Sequence, residues 1–342
     1  MDLTFNDLTI YSTLPAMGEW DGKSYLPWLL DVARWVDEAG CRGALVGTDT
    51  NSVDSWMVTQ AVILNTTALV PLVAVQPMDM TPGALAKAAA SLAKLYDRQV
   101  DLNFVNGGFS FDLDVQGDDL RHDARYDRLI EYVEIVRTLL AGDQAEYEGN
   151  YYKVLGARLF FPPPADLLPM VYVSGSSEAS VQAAESLGVR QLSYPLPAKD
   201  FAGPDVRKNK LGTGIRIGIL ARDDSSEAWR IARERFPPDP ANDRKMQLLT
   251  SVTESSWQAA IGALPRTDED ERDPYWLVPF RNYYTYCPYL VGSHGEVAQA
   301  LATYLGSGVR AFVLDVPRGP DDLHHARIAI QRAIGILNDT AS

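Results

Sequence analysis

Eight short apolar runs, each followed by a stretch of helical spacing, constrain this chain more than any other feature. They fall at 8–13, 44–47, 69–75, 99–105, 169–173, 189–194, 214–222 and 309–317. Between them lie stretches such as "SYLPWLLDVARWVDEAG", with apolar residues three and four apart and a glycine stop, and "TPGALAKAAASLAKLYD", with Thr81 as N-cap and Pro82 at the first helical position. Apolar strands alternating with helices indicate parallel βαβ units. Eight units in one chain predict a (β/α)8 TIM barrel, in the α/β class, spanning 1–342 as one domain. A doubly wound open sheet is the alternative. Residues 146–165 interrupt the alternation as a small hairpin with a proline-rich exit. Residues 238–292 are expected to be helix and loop. Within them, 265–290 is rich in charge, proline and tyrosine and is expected to be a mobile lid.

Bulk properties exclude several classes of partner. The formal net charge is −14, which argues against nucleic acid and anionic membranes, since both need a basic face. No run of about 18 apolar residues exists, so no membrane span is expected. The two cysteines, Cys41 and Cys287, lack metal or redox spacing and suggest a reducing cytoplasm. The four histidines form no H-x-x-x-H pattern, so no metal site is expected.

In a barrel the working face is the C-terminal end of the strands. The residues just past each strand include Thr48 and Ser52, Ala74 and Val75, and Asn103 and Asn106. Further round come Ser174-Gly175-Ser176-Ser177 and Arg216. The helix after the fourth strand brings His122 and Tyr126, one turn apart, and the lid adds Arg281. This rim is polar but offers no nucleophile with a base. Such a rim commonly borrows its chemistry from a cofactor. The 174–177 turn has two open readings: an ordinary helix N-cap, or a seat where backbone N–H groups and the helix dipole hold a phosphate. Tyr283, Tyr284, Tyr286 and Tyr289 are either a substrate wall or a subunit contact.

The segments "VDLNFVNGG", "RHDARYDRLIEYVEIVRTLLAG", "YEGNYYKVLGARLFFPPP" and "MVYVSGSSEASVQAAESLG" resemble the bacterial-luciferase-like flavin-dependent monooxygenases, nearest to the alkanesulfonate monooxygenase branch. The resemblance covers about residues 5 to 335. It implies a two-component monooxygenase that takes reduced FMN from a separate NAD(P)H:flavin reductase and activates O2 as a flavin C4a-peroxide. A small organic substrate would be oxygenated by a homodimer or homotetramer. Carried over by position, Ser174, Gly175, Ser176 and Ser177 hold the FMN phosphate, with Tyr126 and His122 beside it. Asn103 meets the isoalloxazine edge, and Thr48, Ala74 and Val75 line the flavin. The Ala74–Val75 peptide falls where the family often carries a cis bond, at a cost of ~3–4 kcal/mol. Ser52, Arg216 and Arg281 fall at catalytic positions, and Tyr283, Tyr284 and Tyr286 at the substrate. Three departures bear on substrate. Ser52 stands where the sulfonate branch has cysteine, Gly218 where it has histidine, and "NYYTYCPY" where it has glycines. Alternatives are an alkanesulfonate-type desulfonating enzyme, an oxidoreductase using the deazaflavin F420, and a flavin-binding barrel without turnover.

Overall fold

A ring of eight parallel strands forms, as the alternation predicts. The computed structural model describes residues 2–16, 24–48, 52–107, 117–201, 211–251, 255–262 and 273–341. The strands are β1 (Thr9–Thr13), β2 (Gly43–Val46), β3 (Val70–Val75), β4 (Asp101–Phe104), β5 (Ala145–Glu148), β6 (Lys153–Ala157), β7 (Val171–Ser174) and β8 (Arg190–Ser193). They continue with β9 (Thr213–Arg222), β10 (Tyr275–Trp276), β11 (Tyr289–Ser293) and β12 (Val309–Leu314). The ring runs β1-β2-β3-β4-β7-β8-β9-β12 and closes where β12 pairs β1, with Thr9 opposite Ala311. All eight sequence-predicted strands are in it.

Side chains alternate in and out of the ring, as strand period two requires. Tyr11, Leu45, Leu72, Ala74, Tyr172, Leu192, Ala311 and Val313 fill the inside. Ile10, Ala44, Val46, Ile215 and Ile217 pack outward against one set of helices. Val73, Leu102, Phe104 and Val173 pack against the other.

The floor of the barrel is polar. Asp101 is fully buried and accepts hydrogen bonds from the Tyr11 hydroxyl at 2.6 Å, Arg42 Nε at 2.7 Å and the Met170 N–H at 2.8 Å. The three partners come from separate segments of the ring, so one carboxylate ties the strand starts together.

The 146–165 excursion contains the antiparallel hairpin β5–β6. It docks through Glu131 of the long helix His122–Leu140. This carboxylate accepts the backbone N–H groups of Asn150, Tyr151 and Tyr152 at 2.7–3.0 Å.

Two expectations are corrected. The segment 238–292 contains strands as well as helix and loop. β9 is ten residues long, and its second half, Gly218–Arg222, leaves the ring and pairs with β11. β10 then adds antiparallel to β11. The unpaired backbone of an over-long strand needs a partner, and the run at 289–293 supplies it. The second correction concerns Ala74–Val75. Among the described residues there is no cis peptide bond. Both residues sit in the regular ladder, opposite Asn103 and Phe104, which requires extended trans backbone. The first part of the expected lid, 265–272, lies outside the described residues.

Three of the four histidines meet outside the ring, a juxtaposition their spacing did not reveal. His294 Nε2 lies 2.9 Å from His325 Nδ1, and His324 packs edge-on to His325. Burial lowers both His294 and His325 below the usual histidine pKa. His325 adds to the lowering at His294, and Arg222 and His324 add to it at His325, while Asp223 opposes both. The unfolded chain therefore takes up protons first, near the ordinary value of 6.5. The contribution is full above that pH and is lost as pH falls below it. The urea midpoint of the wild type should drop between about pH 7.5 and pH 5.5 more than that of His325→Gln. Equal slopes would refute this assignment.

Candidate active site

The turn after β7 is built by packing before any ligand is considered. Ser177 caps the helix Glu178–Leu187, its hydroxyl accepting the Ser180 N–H at 3.2 Å. Gly175 has φ +145°, and a Cβ there would lie 2.3 Å from Tyr126 Oη and 2.6 Å from the Ser180 Cβ. The glycine is thus demanded by the close approach of Tyr126, whatever else the turn does. Tyr126 donates to the Ser174 carbonyl at 3.0 Å, and burial pushes its phenol pKa up, so it stays a neutral donor. Its ring meets His122 edge-on at 5.2 Å. His122 is half-buried, with Nδ1 2.7 Å from Asp123. Ser176 is exposed at the tip of the turn.

Asn103 belongs to the same assembly. It pairs with Ala74 and Tyr172, both inside the ring, so its side chain also faces inward. Its Oδ1 accepts the Ser174 hydroxyl at 2.8 Å. Four predicted residues, Asn103, Ser174, Tyr126 and His122, therefore form one continuous run along the mouth. Ala74 faces the barrel interior, whereas Val75 packs outward among the helices. Thr48 lies beyond β2 and donates to Asp79 at 3.3 Å. Ser52 is half-buried just before the helix Ser55–Asn65, whose cap is Asp54. Asn106, just past β4, is buried with both side-chain atoms unpartnered among the described residues.

Two strands further round, Arg216 lies opposite Val313 in the ladder and so points into the barrel. Its Nη1 donates to the Tyr194 hydroxyl at 3.4 Å, and its Nη2 is 3.9 Å from Asp315 Oδ1, beyond hydrogen-bond reach. Arg216 Nε is buried with no partner among the described residues. Burial works to lower the Arg216 pKa, but Tyr194, Cys287 and Asp315 outweigh it and hold the guanidinium above its ordinary value. Cys287 is fully buried, and burial pushes its thiol well up, so it is an unreactive neighbour.

Gly218 leaves no hole. A Cβ there would lie 2.3 Å from the Tyr289 ring, which covers the glycine and donates its hydroxyl to Asp315 Oδ2 at 2.8 Å. Tyr289 is the buried tyrosine of the lid cluster. Tyr284 and Tyr286 are 40% and 37% exposed, and Tyr283 is half-buried under Lys245 at 4.6 Å. Arg281 is half-buried in the short helix Val278–Arg281, near Tyr275.

Sequence reasoning left Asp315 and Tyr194 without a role at the mouth, and left Tyr289 open between a substrate wall and a subunit contact. Tyr194 ends the predicted strand 189–194 and Asp315 lies near the end of the predicted strand 309–317, just past β12, so strand-end position could have found them. Tyr289 could not be found that way, because its place depends on β11 leaning across Gly218. Among the described residues no group of three or more His, Cys, Asp or Glu is placed to hold a metal ion. No helix among them is long and apolar enough to cross a membrane.

Known proteins are similar to this chain in sequence and fold. The chain is 30% identical over 334 residues, 95% of its length and 97% of the relative's, to the 4-(gamma-L-glutamylamino)butanoyl-[BtrI acyl-carrier protein] monooxygenase BtrO of Niallia circulans. Its fold is similar to that of riboflavin lyase RcaE, solved with modified FMN and riboflavin. That likeness has a TM-score of 0.70 at 17% identity over 98% of this chain and 92% of that one. It is also similar to an F420-dependent secondary alcohol dehydrogenase, with a TM-score of 0.67 at 15% identity over 95% and 99% of the two chains. The model of the luciferase-like monooxygenases matches residues 10–311, most of the barrel from β1 into β12. The chain belongs to the luciferase-like monooxygenase family.

Proposed function

We propose that this enzyme is a two-component, FMNH2-dependent monooxygenase that oxygenates a small organic substrate with O2. A separate NAD(P)H:flavin reductase would supply the reduced flavin. The observation that carries this reading is the continuous amide- and hydroxyl-lined run from Asn103 through Ser174 to Tyr126. It ends at an exposed turn on a helix N-terminus. The fit to a phosphorylated flavin rests on two features. The backbone of 175–177 stands at the start of a ten-residue helix, where N–H groups and the dipole favour an anion. The nearby Glu178 carboxylate is engaged by Gln182 at 3.1 Å. Asn106 offers a buried, unpartnered amide at the mouth, the donor and acceptor that a flavin's polar edge would satisfy.

When bound, reduced FMN supplies the electrons with which O2 is activated. The chain's own part is to bind, orient and exclude water. Ser176 and the 175–177 backbone would hold the phosphate, and Tyr126 fixes the turn from behind. Asn103 and Asn106 would orient the ring. Arg216 would meet the substrate from the β9 wall, and the lid would close over it. The relative BtrO is a monooxygenase by name, and the RcaE structure contains a modified FMN, which supports this choice of chemistry.

Ser176→Asp separates the phosphate seat from a mere helix cap. A carboxylate at the tip faces the phosphate but leaves the Ser177 cap intact. FMN affinity should fall about tenfold or more, while riboflavin, which lacks the phosphate, should bind as before. Equal losses for both ligands, or none for FMN, would count against a phosphate at this turn.

A further inference from the structure

The Arg216–Asp315 pair is open. Its two groups stand 3.9 Å apart, 20% and 10% exposed, at the mouth of the barrel. Arg216 keeps a buried Nε without a partner, and the side-chain hydrogen bond of Asp315, from Tyr289, falls on Oδ2 and not on the Oδ1 that faces Arg216. Half-satisfied buried charges are costly, so a ligand that completes both gains what each lacks.

Tyr289 is what holds the pair open. Its ring lies on Gly218, where any side chain would displace it, and its hydroxyl fastens Asp315 through Oδ2 at 2.8 Å. From the other side Tyr194 holds Arg216 Nη1 at 3.4 Å, with its own ring stacked 4.5 Å from Trp257. Arg318 lies within electrostatic reach of Asp315. Arg235, closed on Asp322 at 2.8 Å, lies within reach of Tyr289. The mouth therefore presents a fixed donor beside a fixed acceptor.

We infer that Asp315, positioned by Tyr289, makes the Arg216 site select an uncharged group with an acceptor and a donor side by side, namely a primary carboxamide, over a carboxylate or sulfonate. This rests on the monooxygenase reading for its place in the reaction. The carboxamide carbonyl accepts from the guanidinium, and the N–H on the same edge donates to Asp315. A free carboxylate or sulfonate has acceptors only, and its second oxygen would face the Asp315 carboxylate across a short gap. Asp315 and Tyr289 are thus positioning residues that set specificity through Arg216.

The test uses the full chain, with and without oxidised FMN, and three probes of matched length: butanamide, butanoate and butane-1-sulfonate. Binding is read by ligand-detected NMR, so a failure of FMN to bind is seen separately and leaves this result standing. The wild type should bind the amide and reject both anions. Asp315→Asn removes the repelling charge and should raise the affinity of butanoate and the sulfonate about tenfold. Tyr289→Phe keeps the ring on Gly218 but frees Asp315 to close on Arg216. It should weaken the amide several-fold while the anions stay excluded. The inference is overturned if the amide does not bind, or if the wild type takes either anion as tightly as the amide. It is equally overturned if both variants leave the ranking of probes unchanged.

Discussion

Arg216→Met should lower kcat/KM by about 100-fold or more while FMN affinity changes less than about twofold. The guanidinium is the inward-facing cation of the β9 wall, held by Tyr194 and facing Asp315. Methionine fills much of the same volume but donates nothing, so the substrate loses its fixed donor and Asp315 loses its counter-charge. Arg216→Lys should recover only part of the loss, because a single ammonium cannot reproduce the planar fork. The 174–177 turn, where the flavin phosphate is proposed to sit, stands two strands away from Arg216, so flavin binding is the internal control. Steady-state kinetics paired with flavin titration check the split. Loss of FMN affinity in parallel with turnover would show that Arg216 supports the barrel and not the substrate.

The second large effect lies at the opposite end of the barrel. Asp101→Asn should destabilise the protein by about 3 kcal/mol or more, read as a lower urea midpoint, with little change in FMN affinity of the folded enzyme. The carboxylate receives Tyr11, Arg42 and the Met170 N–H at once. An amide of the same shape removes the charge that compensates Arg42 and turns one acceptor into a donor. Buried, hydrogen-bonded charge pairs broken on one side are among the costliest substitutions. An unchanged midpoint would mean that the floor network is incidental to stability.

The barrel was legible because its information is local. Each strand is a run such as "VRAFVLDVP", and each helix carries its own spacing and stop. The 174–177 turn was legible for the same reason, as a strand emptying into Ser-Gly-Ser-Ser before a helix. What could not be read depends on residues far apart in the chain. Asp101 is one acidic residue in an apolar strand, and its partners come from positions 11, 42 and 170. The His294–His325 contact joins two helices across a strand. Gly218 reads as a lost side chain until β11 brings Tyr289 over it. The tyrosine-rich segment 283–289 showed the same ambiguity, since nothing local distinguishes Tyr289, which is buried, from Tyr284, which is not.

The account turns on whether this mouth takes the phosphorylated flavin in its reduced form. Titrating the full-length protein with reduced FMN under argon, with reduced F420 and riboflavin in parallel, measures that directly. The expected result is saturable binding of reduced FMN, tighter than riboflavin and weakened by Ser176→Asp. Absence of FMN binding, or binding of F420 alone, would contradict it.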